Sequence, residues 1–305
     1  MPARNDVPLS IHPEVAAALA DGRPVVALES TIIAHGLPRE IGAGTARAIE
    51  AAVRGGGAVP ATIAVLDGRI RIGLDDDGID RLTGDPPISK LSRRDLPVAL
   101  ATGGNGATTV AATMICAALA GIRVFATGGI GGVHRGAESS FDVSPDLTEL
   151  TRTGVAVVCA GAKAILDLPK TLEVLETLGV PVLGLGTAEF PAFYSRTSGL
   201  PVAHRCADAG EVARILRMRW ALDPAGGALV TVPVPEADAL PAAWVESALE
   251  PLLAEAASRG ISGQAVTPFL LYRLVEATGG RTLAANISLI LNNAGAAAAI
   301  AGALN

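Results

Sequence analysis

The feature that most constrains the fold of this chain is an alternation of short β-branched runs, glycine-containing loops and Ala/Leu-rich segments. Strands that alternate with helices of about 10–15 residues predict βαβ units and a mostly parallel sheet covered by helices on both faces. Asp67 and Gly68 stand between two alternating runs, which is a hairpin signal and makes the predicted sheet mixed. We therefore expect an α/β fold.

The same pattern predicts where the elements lie. We predict strands at residues 25–31, 61–66, 69–73, 98–101, 123–127, 155–159, 180–185, 202–205 and 228–232. We predict helices at residues 13–20, 39–54, 107–120, 169–178, 210–220, 241–259, 268–277 and 282–303. The proline-rich segment 233–241 is too short to be a linker, and the helices after it cannot bury their apolar faces alone. We expect them to pack back on the sheet, so that residues 1–305 form a single domain.

Charge and composition limit the partners of the chain. It has 305 residues and a formal net charge of −6, and its Lys and Arg residues form no basic block. Binding to a nucleic-acid backbone requires clustered basic residues, and single-strand binding also uses aromatic platforms, whereas aromatic residues make up only 3% of this chain. We therefore expect no nucleic-acid partner. A small anionic ligand needs only a few local donors and is compatible with this composition.

Residues 96–122 carry no charged side chain and are long enough to suggest a membrane span, but they contain the sequence GGNG and several threonines. A strand, a glycine loop and a buried helix explain them better. The first fifteen residues lack the apolar stretch of a signal peptide, and Cys116, Cys159 and Cys206 form no CxxC or metal spacing. We expect no membrane association and a cytoplasmic location.

Lysine is rare in this chain, with Lys90, Lys163 and Lys170 against 21 arginines. Arginine keeps its proton in proteins, whereas a desolvated lysine can act as an amine nucleophile. Lys163 follows the apolar run 155–159 through three small residues, and burial there favours the neutral amine. Lys163 is therefore a candidate nucleophile, the alternative being a lysine that caps a loop carbonyl. Lys170 opens a Glu-rich helical segment and is expected on the surface.

Glu29 lies near the carboxyl end of the apolar run 25–31. An ionised carboxylate is costly to bury unless it is paired, so we expect the pKa of Glu29 to be raised. Ligands of open α/β sheets bind outside the carboxyl ends of the strands, which makes Glu29 a candidate general acid or base. The alternative is a structural ion pair with an arginine such as Arg39.

Two glycine loops, GGNG at residues 103–106 and GGIGG at residues 128–132, follow predicted strands. Neither matches GxGxxG, and the chain contains no Walker A sequence. Such loops either turn the chain or hold a phosphate or ribose hydroxyl through their backbone N–H groups. The polar residues 133–138 favour the second interpretation for the second loop.

A polar segment, FDVSPD at residues 141–146, contains Asp142, Ser144 and Asp146. The two carboxylates together suit a hard divalent cation that keeps most of its waters, such as Mg²⁺ or Mn²⁺. Ser144 is also a good N-cap for a following helix, and both interpretations remain open. Lys90 precedes a short cationic run that suits a phosphate, although such a run is also typical of a solvated face.

These residues lie within long motifs that resemble the pseudouridine-5′-phosphate glycosidase family, also described as indigoidine synthase A-like. The longest are ALESTIIAHGLP at residues 27–38, FATGGIGGVHRGAESSFDVSPDL at residues 125–147 and VVCAGAKAILDLPKTLEVLETLGVPV at residues 157–182. Shorter ones are GAVPATIAVLDG, SRRDLP, NGATTVAATM, TPFLL and NNA, so the resemblance covers nearly the whole chain. It implies a three-layer α/β/α sandwich with a mixed, mostly parallel central sheet, and a homotrimer.

The resemblance also implies an activity, the reversible cleavage of the C1′–C5 carbon–carbon glycosidic bond of pseudouridine 5′-phosphate to uracil and ribose 5-phosphate. Position by position, it implies that Lys163 forms an imine with the opened sugar and that Glu29 donates a proton to the uracil carbon. It further implies that Asp142 binds one Mn²⁺ per subunit, with Mg²⁺ or another divalent ion as an alternative.

Substrate contacts follow from the same resemblance. They are Lys90, Val110, His134, Ser144, Pro145, Asp146 and Asn286. Pro145 departs from the small residue expected at its position and has no backbone N–H to donate. Two other functions stay open: a same-fold enzyme that acts on another riboside phosphate, and a non-catalytic sugar-phosphate-binding protein, which would not need Glu29 or Lys163.

Overall fold

The computed structural model describes residues 7–261 and 263–305, so residues 1–6 of the N-terminal segment discussed above lie outside the described residues. In chain order the strands are β1 (Leu9–Ile11), β2 (Val25–Glu29), β3 (Val59–Leu66), β4 (Arg69–Ile72), β5 (Ser89–Leu91), β6 (Gly106–Thr108), β7 (Val124–Ala126), β8 (Val133–His134), β9 (Ala156–Cys159), β10 (Leu166–Asp167), β11 (Val182–Leu185), β12 (His204–Cys206) and β13 (Ala228–Thr231).

The helices surround these strands. They are α1 (Pro13–Ala20), α2 (Thr31–His35), α3 (Arg39–Gly55), α4 (Asp76–Leu82), α5 (Leu96–Thr102), α6 (Val110–Leu119), α7 (Ala137–Ser140), α8 (Pro145–Arg152), α9 (Leu168–Thr177), α10 (Ala209–Leu222), α11 (Ala242–Ser258), α12 (Val266–Ala277) and α13 (Arg281–Leu304).

Eleven strands form one mixed sheet. Its main order is β1-β4-β3-β2-β7-β9-β13-β11-β12, and β6 pairs with β3 beyond the end of β2, with β5 beside it. Every neighbouring pair from β3 through β2 to β12 is parallel, whereas β4 and β6 run antiparallel to β3. The mixed, mostly parallel sheet is confirmed, and so is the hairpin at Asp67 and Gly68, which joins β3 to β4.

Helices cover the sheet and complete the three-layer α/β/α sandwich. α13 packs on β2, β7 and β9 with α3 and α10 beside it, and α6 packs on β2, β3 and β4 with α8 beside it. Every residue of β2, β3, β9 and β13 is therefore buried. Strands buried on both faces have continuous apolar runs, which explains why these four strands were visible in the sequence.

α13 has the length and apolar composition of a membrane-crossing helix, but it is a core helix of the sandwich. Asn293 on α13 is fully buried, and its Nδ2 donates hydrogen bonds to the carbonyl oxygens of Thr127 at 2.9 Å and Gly128 at 3.4 Å. The prediction that the last helix packs back on the sheet is confirmed. The single-domain organisation of residues 1–305 stays a prediction.

The structure corrects one predicted strand. Residues 98–101 lie in α5, which has Pro97 in its first turn and ends at Gly103 in the left-handed region (φ 71°). A short apolar run is compatible with a strand or a helix, and here the proline at the start and the glycine at the end favour the helix. The first glycine loop therefore follows a helix and leads into β6.

Short elements account for most other differences. Residues 107–108 of the predicted helix 107–120 belong to β6, and α6 begins only at Val110 because the side chain of Thr109 accepts a hydrogen bond from Ala112 N at 3.4 Å. β5, β8, β10, α2 and α7 contain two to five residues each, which is too short for hydrophobic periodicity to reveal.

Candidate active site

Three neighbouring parallel strands, β2, β7 and β9, end at one edge of the sheet. Glu29 is the last residue of β2, Thr127 follows β7, and Lys163 follows β9 through Ala160, Gly161 and Ala162. A cavity of about 540 Å³ opens at this edge. This is the position at which open α/β sheets bind their ligands.

Every residue predicted to belong to the site lines this cavity. These residues are Glu29, Lys90, Val110, His134, Asp142, Ser144, Pro145, Asp146, Lys163 and Asn286. They lie on strands, helices and loops from residue 29 to residue 286, so the tertiary fold brings them together. The role of each residue in catalysis or binding stays a prediction.

Glu29 is buried, with 6% of its surface exposed, and has no arginine partner among residues 7–261 and 263–305. The hydroxyl of Thr127 donates a hydrogen bond to Glu29 Oε1. Burial raises the pKa of Glu29, while the charge of Lys163 and the hydrogen bond from Thr127 oppose that rise. Arg39 instead pairs with Asp85 at 2.7 Å, so the alternative of an ion pair between Arg39 and Glu29 is wrong.

Lys163 is held by the loops that follow β7 and β9, because these loops bond to each other. Its backbone N–H donates to the carbonyl of Ile130 at 3.1 Å, and Ala160 N donates to Gly128 O at 2.9 Å. Gly161 has a φ of 85°, and a Cβ there would lie 2.3 Å from the carbonyl oxygen of Pro191. Only glycine fits this turn, which directs the chain so that Lys163 lines the cavity.

Asp146 ties the second glycine loop to the first turn of α6. Its Oδ1 accepts a hydrogen bond from Ala111 N in the first turn of α6 at 2.9 Å, and its Oδ2 accepts from Gly131 N at 2.8 Å. The second glycine loop and the N-terminus of α6, where Val110 lies, are thereby held at one side of the cavity. Asp146 was predicted as a substrate contact, and the structure adds this bracing role, which its sequence position does not reveal.

Ser144 and Pro145 begin α8 beside this side of the cavity. Ser144 is the N-cap, and its Oγ accepts a hydrogen bond from Asp146 N at 3.2 Å, so the capping interpretation is confirmed. Pro145 occupies the first helical position, where its missing N–H removes no bond within the helix. A Cβ on Gly131 would lie 2.2 Å from Ser144 Oγ, so this loop position requires glycine.

Asp142 lies in the loop between α7 and α8, and His134 lies in β8. Asp142 Oδ2 is 3.9 Å from His134 Nδ1, and the Asp142 carbonyl accepts a hydrogen bond from His134 N at 3.0 Å. Burial lowers the pKa of His134, while the charge of Asp142 opposes that change. Within the described residues, no three His, Cys, Asp or Glu side chains cluster as a metal site. A cation bound by Asp142 would therefore keep most of its waters.

Lys90, which precedes the short cationic run, lies near the acidic groups of the cavity. Burial lowers the pKa of Lys90 and the nearby charge of Lys163 lowers it further, while Asp146 and Glu29 oppose this change. Arg93, by contrast, is bonded to the buried carboxylate of Glu149, with Nη2 and Oε1 2.7 Å apart. Lys170 pairs with Glu138 and Asp167 on the surface, as expected.

Several residues that line this cavity were not predicted from the sequence, among them the polar residues Thr127, His35 and Ser92. Thr127 is the first residue after β7 and precedes the second glycine loop, a position that could have marked it. His35 lies in the same long motif as Glu29, but nothing in that motif predicts that the side chain of His35 lines the cavity. Its Nε2 and Ser92 Oγ are buried and have no hydrogen-bond partner in the part of the chain that the structure describes.

The chain is similar over nearly its whole length to one protein family and to several relatives. The profile of the family described as "Indigoidine synthase A like protein" matches residues 14–303. A protein of Rhodospirillum centenum named pseudouridine-5′-phosphate glycosidase is 64% identical over 293 residues, which cover 96% of this chain and 91% of the relative. A protein of the same name from Caldanaerobacter subterraneus subsp. tengcongensis is 57% identical over 297 residues, which cover 97% of both chains.

Two solved structures share the fold over almost their whole length. One is a prealnumycin C-glycosynthase in complex with ribulose 5-phosphate, at 45% identity and a TM-score of 0.89, with 98% of this chain and 97% of that chain covered. The other is an indigoidine synthase A-like protein from Thermotoga maritima, at 37% identity and a TM-score of 0.88, with 99% and 97% covered. By its profile match and its relatives, this chain is an enzyme that belongs to the indigoidine synthase A-like family.

Proposed function

We propose that this enzyme reversibly cleaves the C1′–C5 bond of pseudouridine 5′-phosphate, giving uracil and ribose 5-phosphate, through an imine on Lys163. One observation carries the proposal. A buried glutamate with a raised pKa and a lysine stand at the ends of strands two positions apart in the sheet and line the same cavity. The name shared by relatives of 57% and 64% identity supports this choice of substrate.

A carbon–carbon glycosidic bond cannot be broken merely by protonating a leaving heteroatom, as in glycosidases with two carboxylates. In the proposed first step, the neutral amine of Lys163 bonds to C1′ while the C1′–O4′ bond breaks. O4′ takes up a proton and the amine loses one, so the sugar is opened and remains attached to both the enzyme and the base. This step requires Lys163 to be uncharged when the substrate arrives.

In the second step the C1′–C5 bond breaks. Protonation of C5 first makes this carbon tetrahedral. The nitrogen lone pair of Lys163 then forms a C=N bond, and the electron pair of the broken C1′–C5 bond restores the C5=C6 double bond of uracil. Glu29 donates its proton to C5, and its raised pKa keeps that proton available at higher pH than in an ordinary glutamate. Water then hydrolyses the imine, which releases ribose 5-phosphate and regenerates the amine.

The phosphate is proposed to bind where Val110 begins α6 and Ser144 to Asp146 begin α8. The first residues of both helices line the cavity, where the positive ends of the helix dipoles favour an anion. Lys90 adds a nearby positive charge. Pro145 cannot donate a backbone hydrogen bond, so contacts in this segment would come from the side chains or carbonyls of Ser144 and Asp146.

We further propose that Asp142 binds one Mn²⁺ per subunit, with Mg²⁺ or another divalent ion as an alternative. The carboxylate fits a hydrated hard cation, since it lines the cavity and its side chain is one third exposed. Such an ion would supply positive charge beside anionic oxygens of the substrate. His134 and Asn286 are proposed to contact the substrate near the phosphate or the base.

The metal proposal predicts that Asp142→Asn abolishes Mn²⁺ binding, because the amide removes the negative charge that attracts the ion. Equilibrium dialysis with Mn²⁺ should give about one ion per subunit for the unmodified enzyme and none for the variant. Asp223→Asn is the matched control, because Asp223 lies on the surface at the end of α10 and pairs with Arg219. Equal binding by the unmodified enzyme and Asp142→Asn would contradict the assignment.

The assembly and compartment of the protein are part of the same proposal. We infer a homotrimer from the resemblance to the family, which light scattering of the purified enzyme would test. The cytoplasm is the proposed location, because Cys116, Cys159 and Cys206 are free and buried, as suits a reducing compartment. Fractionation of cells that express the protein would test this location.

The substrate assignment predicts that the purified enzyme releases uracil and ribose 5-phosphate in equal amounts from pseudouridine 5′-phosphate, and far more slowly releases uracil from uridine 5′-phosphate. The reason is that Glu29 is proposed to protonate a leaving carbon, whereas uridine 5′-phosphate leaves through nitrogen. Chromatographic product analysis measures both reactions. Equal rates would favour an enzyme for other riboside phosphates, and binding of ribose 5-phosphate without turnover of either substrate would favour a non-catalytic binding protein.

A further inference from the structure

Three cavity-lining side chains have buried polar atoms that lack a hydrogen-bond partner within the described residues. These atoms are His35 Nε2, Ser92 Oγ and Asn286 Oδ1. Buried polar atoms in folded proteins are almost always paired, so unpaired ones that face a cavity indicate where a ligand completes the bonding. Asn286 belongs to the site proposed above, whereas His35 and Ser92 have no role in it.

His35 lies on the wall of the cavity that carries the proposed proton donor. α2 begins two residues after Glu29, and its residues Thr31, Ile32 and His35 all line the cavity. Asn286 belongs to this wall, since a Cβ on Gly128 would lie 3.4 Å from its Oδ1 and 3.5 Å from Ile32 Cδ1. The starts of α6 and α8, where the phosphate is proposed to bind, form a different part of the lining. Lys90 lies near His35, Glu29 and Asp146 alike, and the position of α2 directly after Glu29 is the reason to place His35 on the side of the base.

The surroundings of His35 favour a neutral ring with a free acceptor. Burial lowers the pKa of His35 and the charge of Lys90 lowers it further, while a hydrogen bond to the backbone of Ser89 opposes this change. Nε2 is buried in the cavity lining and has no partner among the described residues, so it is the ring nitrogen available to a ligand. A neutral imidazole that donates through one nitrogen accepts through the other. An acceptor does not suit a phosphate, but it matches an N–H of a pyrimidine.

We propose that His35 is a specificity-determining residue, whose Nε2 accepts a hydrogen bond from a ring N–H of the base. This inference rests on the function proposed above. Uracil presents two ring N–H groups and two carbonyls, and the three unpaired atoms of the cavity offer two acceptors and one hydroxyl that can donate. The pairing leaves C5 of the base free to face Glu29.

The test uses the synthetic direction, in which uracil and ribose 5-phosphate are varied separately. His35→Ala is expected to raise the KM for uracil about 10- to 100-fold, the effect of one lost hydrogen bond that leaves a buried group unpaired. The KM for ribose 5-phosphate and the borohydride trapping of ribose 5-phosphate on the enzyme should stay unchanged. His35→Gln places an amide oxygen near the position of Nε2 and should restore much of the uracil affinity.

Two further measurements test whether His35 recognises the base through a hydrogen bond. The unmodified enzyme should discriminate against 1-methyluracil or 3-methyluracil relative to uracil, and His35→Ala should lose that discrimination, because the methyl group removes the N–H that His35 reads. His204→Ala serves as the control, since His204 is on the surface, where it pairs with Glu211. Its kinetic constants should equal those of the unmodified enzyme.

The possible outcomes separate this inference from the proposed function. Trapping of ribose 5-phosphate together with an unchanged uracil KM in His35→Ala would overturn the role of His35 alone. A loss of ribose 5-phosphate affinity equal to the loss of uracil affinity would also overturn it, because it would move His35 to the sugar-phosphate side. Failure of the unmodified enzyme to trap ribose 5-phosphate or to use uracil would overturn the proposed function and this inference with it.

Discussion

Lys163→Arg is expected to lower kcat by about 10³-fold or more, because arginine keeps the positive charge but cannot lose a proton to become an amine nucleophile. The substitution should leave the fold intact, since Lys163 is held through its backbone, which bonds to Ile130, rather than by a side-chain bond. Steady-state kinetics with pseudouridine 5′-phosphate measures the first effect, and thermal unfolding measures the second. Retained turnover in this variant would exclude the imine mechanism.

Borohydride reduction tests the role of Lys163 directly, because it converts the proposed imine into a stable covalent product. In the presence of ribose 5-phosphate, the unmodified enzyme should gain one reduced sugar phosphate on Lys163, and Lys163→Arg should gain none. The chain has only two other lysines, so peptide mapping assigns the adduct unambiguously. Lys170→Arg is the matched control, because Lys170 lies on the surface and pairs with Glu138 and Asp167. An adduct on Lys90 would contradict the proposal that Lys163 is the nucleophile.

Glu29→Gln is expected to lower the rate of uracil release by about 10²- to 10⁴-fold, the usual contribution of one general acid. Its imine with ribose 5-phosphate should still form and be trapped, because the acid is proposed to act on the leaving base rather than on the sugar. Comparing the loss of turnover with the loss of imine trapping therefore distinguishes the proposed role of Glu29 from that of Lys163. Equal loss of both in Glu29→Gln would indicate that Glu29 serves imine formation instead.

The raised pKa of Glu29 also predicts a dependence of stability on pH. The folded state binds this proton more tightly than the unfolded state, so the associated stability is complete below the ordinary pKa of glutamate and is lost as pH rises through the raised folded pKa. Glutamine carries no ionisable proton, so Glu29→Gln should unfold at a higher temperature than the unmodified enzyme near neutral pH, with the difference vanishing in acid.

A control with the opposite sign is available in Glu14. Hydrogen bonds from Arg54 lower the pKa of Glu14, so its stabilising effect is present above the ordinary pKa of glutamate and is lost as pH falls through the lowered folded value. Glu14→Gln should therefore weaken the protein near neutral pH, whereas Glu29→Gln should strengthen it. Thermal unfolding of both variants across this range measures the contrast. A destabilised Glu29→Gln at neutral pH would contradict burial of an ionisable carboxylate at this position.

Much of the fold can be predicted from the sequence, because strands that are buried on both faces of the sheet have continuous apolar runs. The apolar runs of β2, β3, β9 and β13 are continuous, and the turn at Asp67 and Gly68 is specified by two adjacent residues. The run 98–101 misled the prediction because four apolar residues fit either a strand or a helix, and only the packing of α5 decides between them.

The candidate nucleophile and acid were also identified from the sequence, because an ionisable residue at or after the end of an apolar run stands out against its neighbours. What only the tertiary structure decided is which groups meet. Thr127 bonds to Glu29, Asp146 braces Gly131 against α6, and His35 reaches the cavity beside Lys90. Each of these relations joins segments that are distant in the chain, and periodicity, capping and turn signals describe only neighbours along it. The sequence therefore determined the layers of the protein and the candidate reactive side chains, and the order and register of the strands determined the cavity that these side chains line.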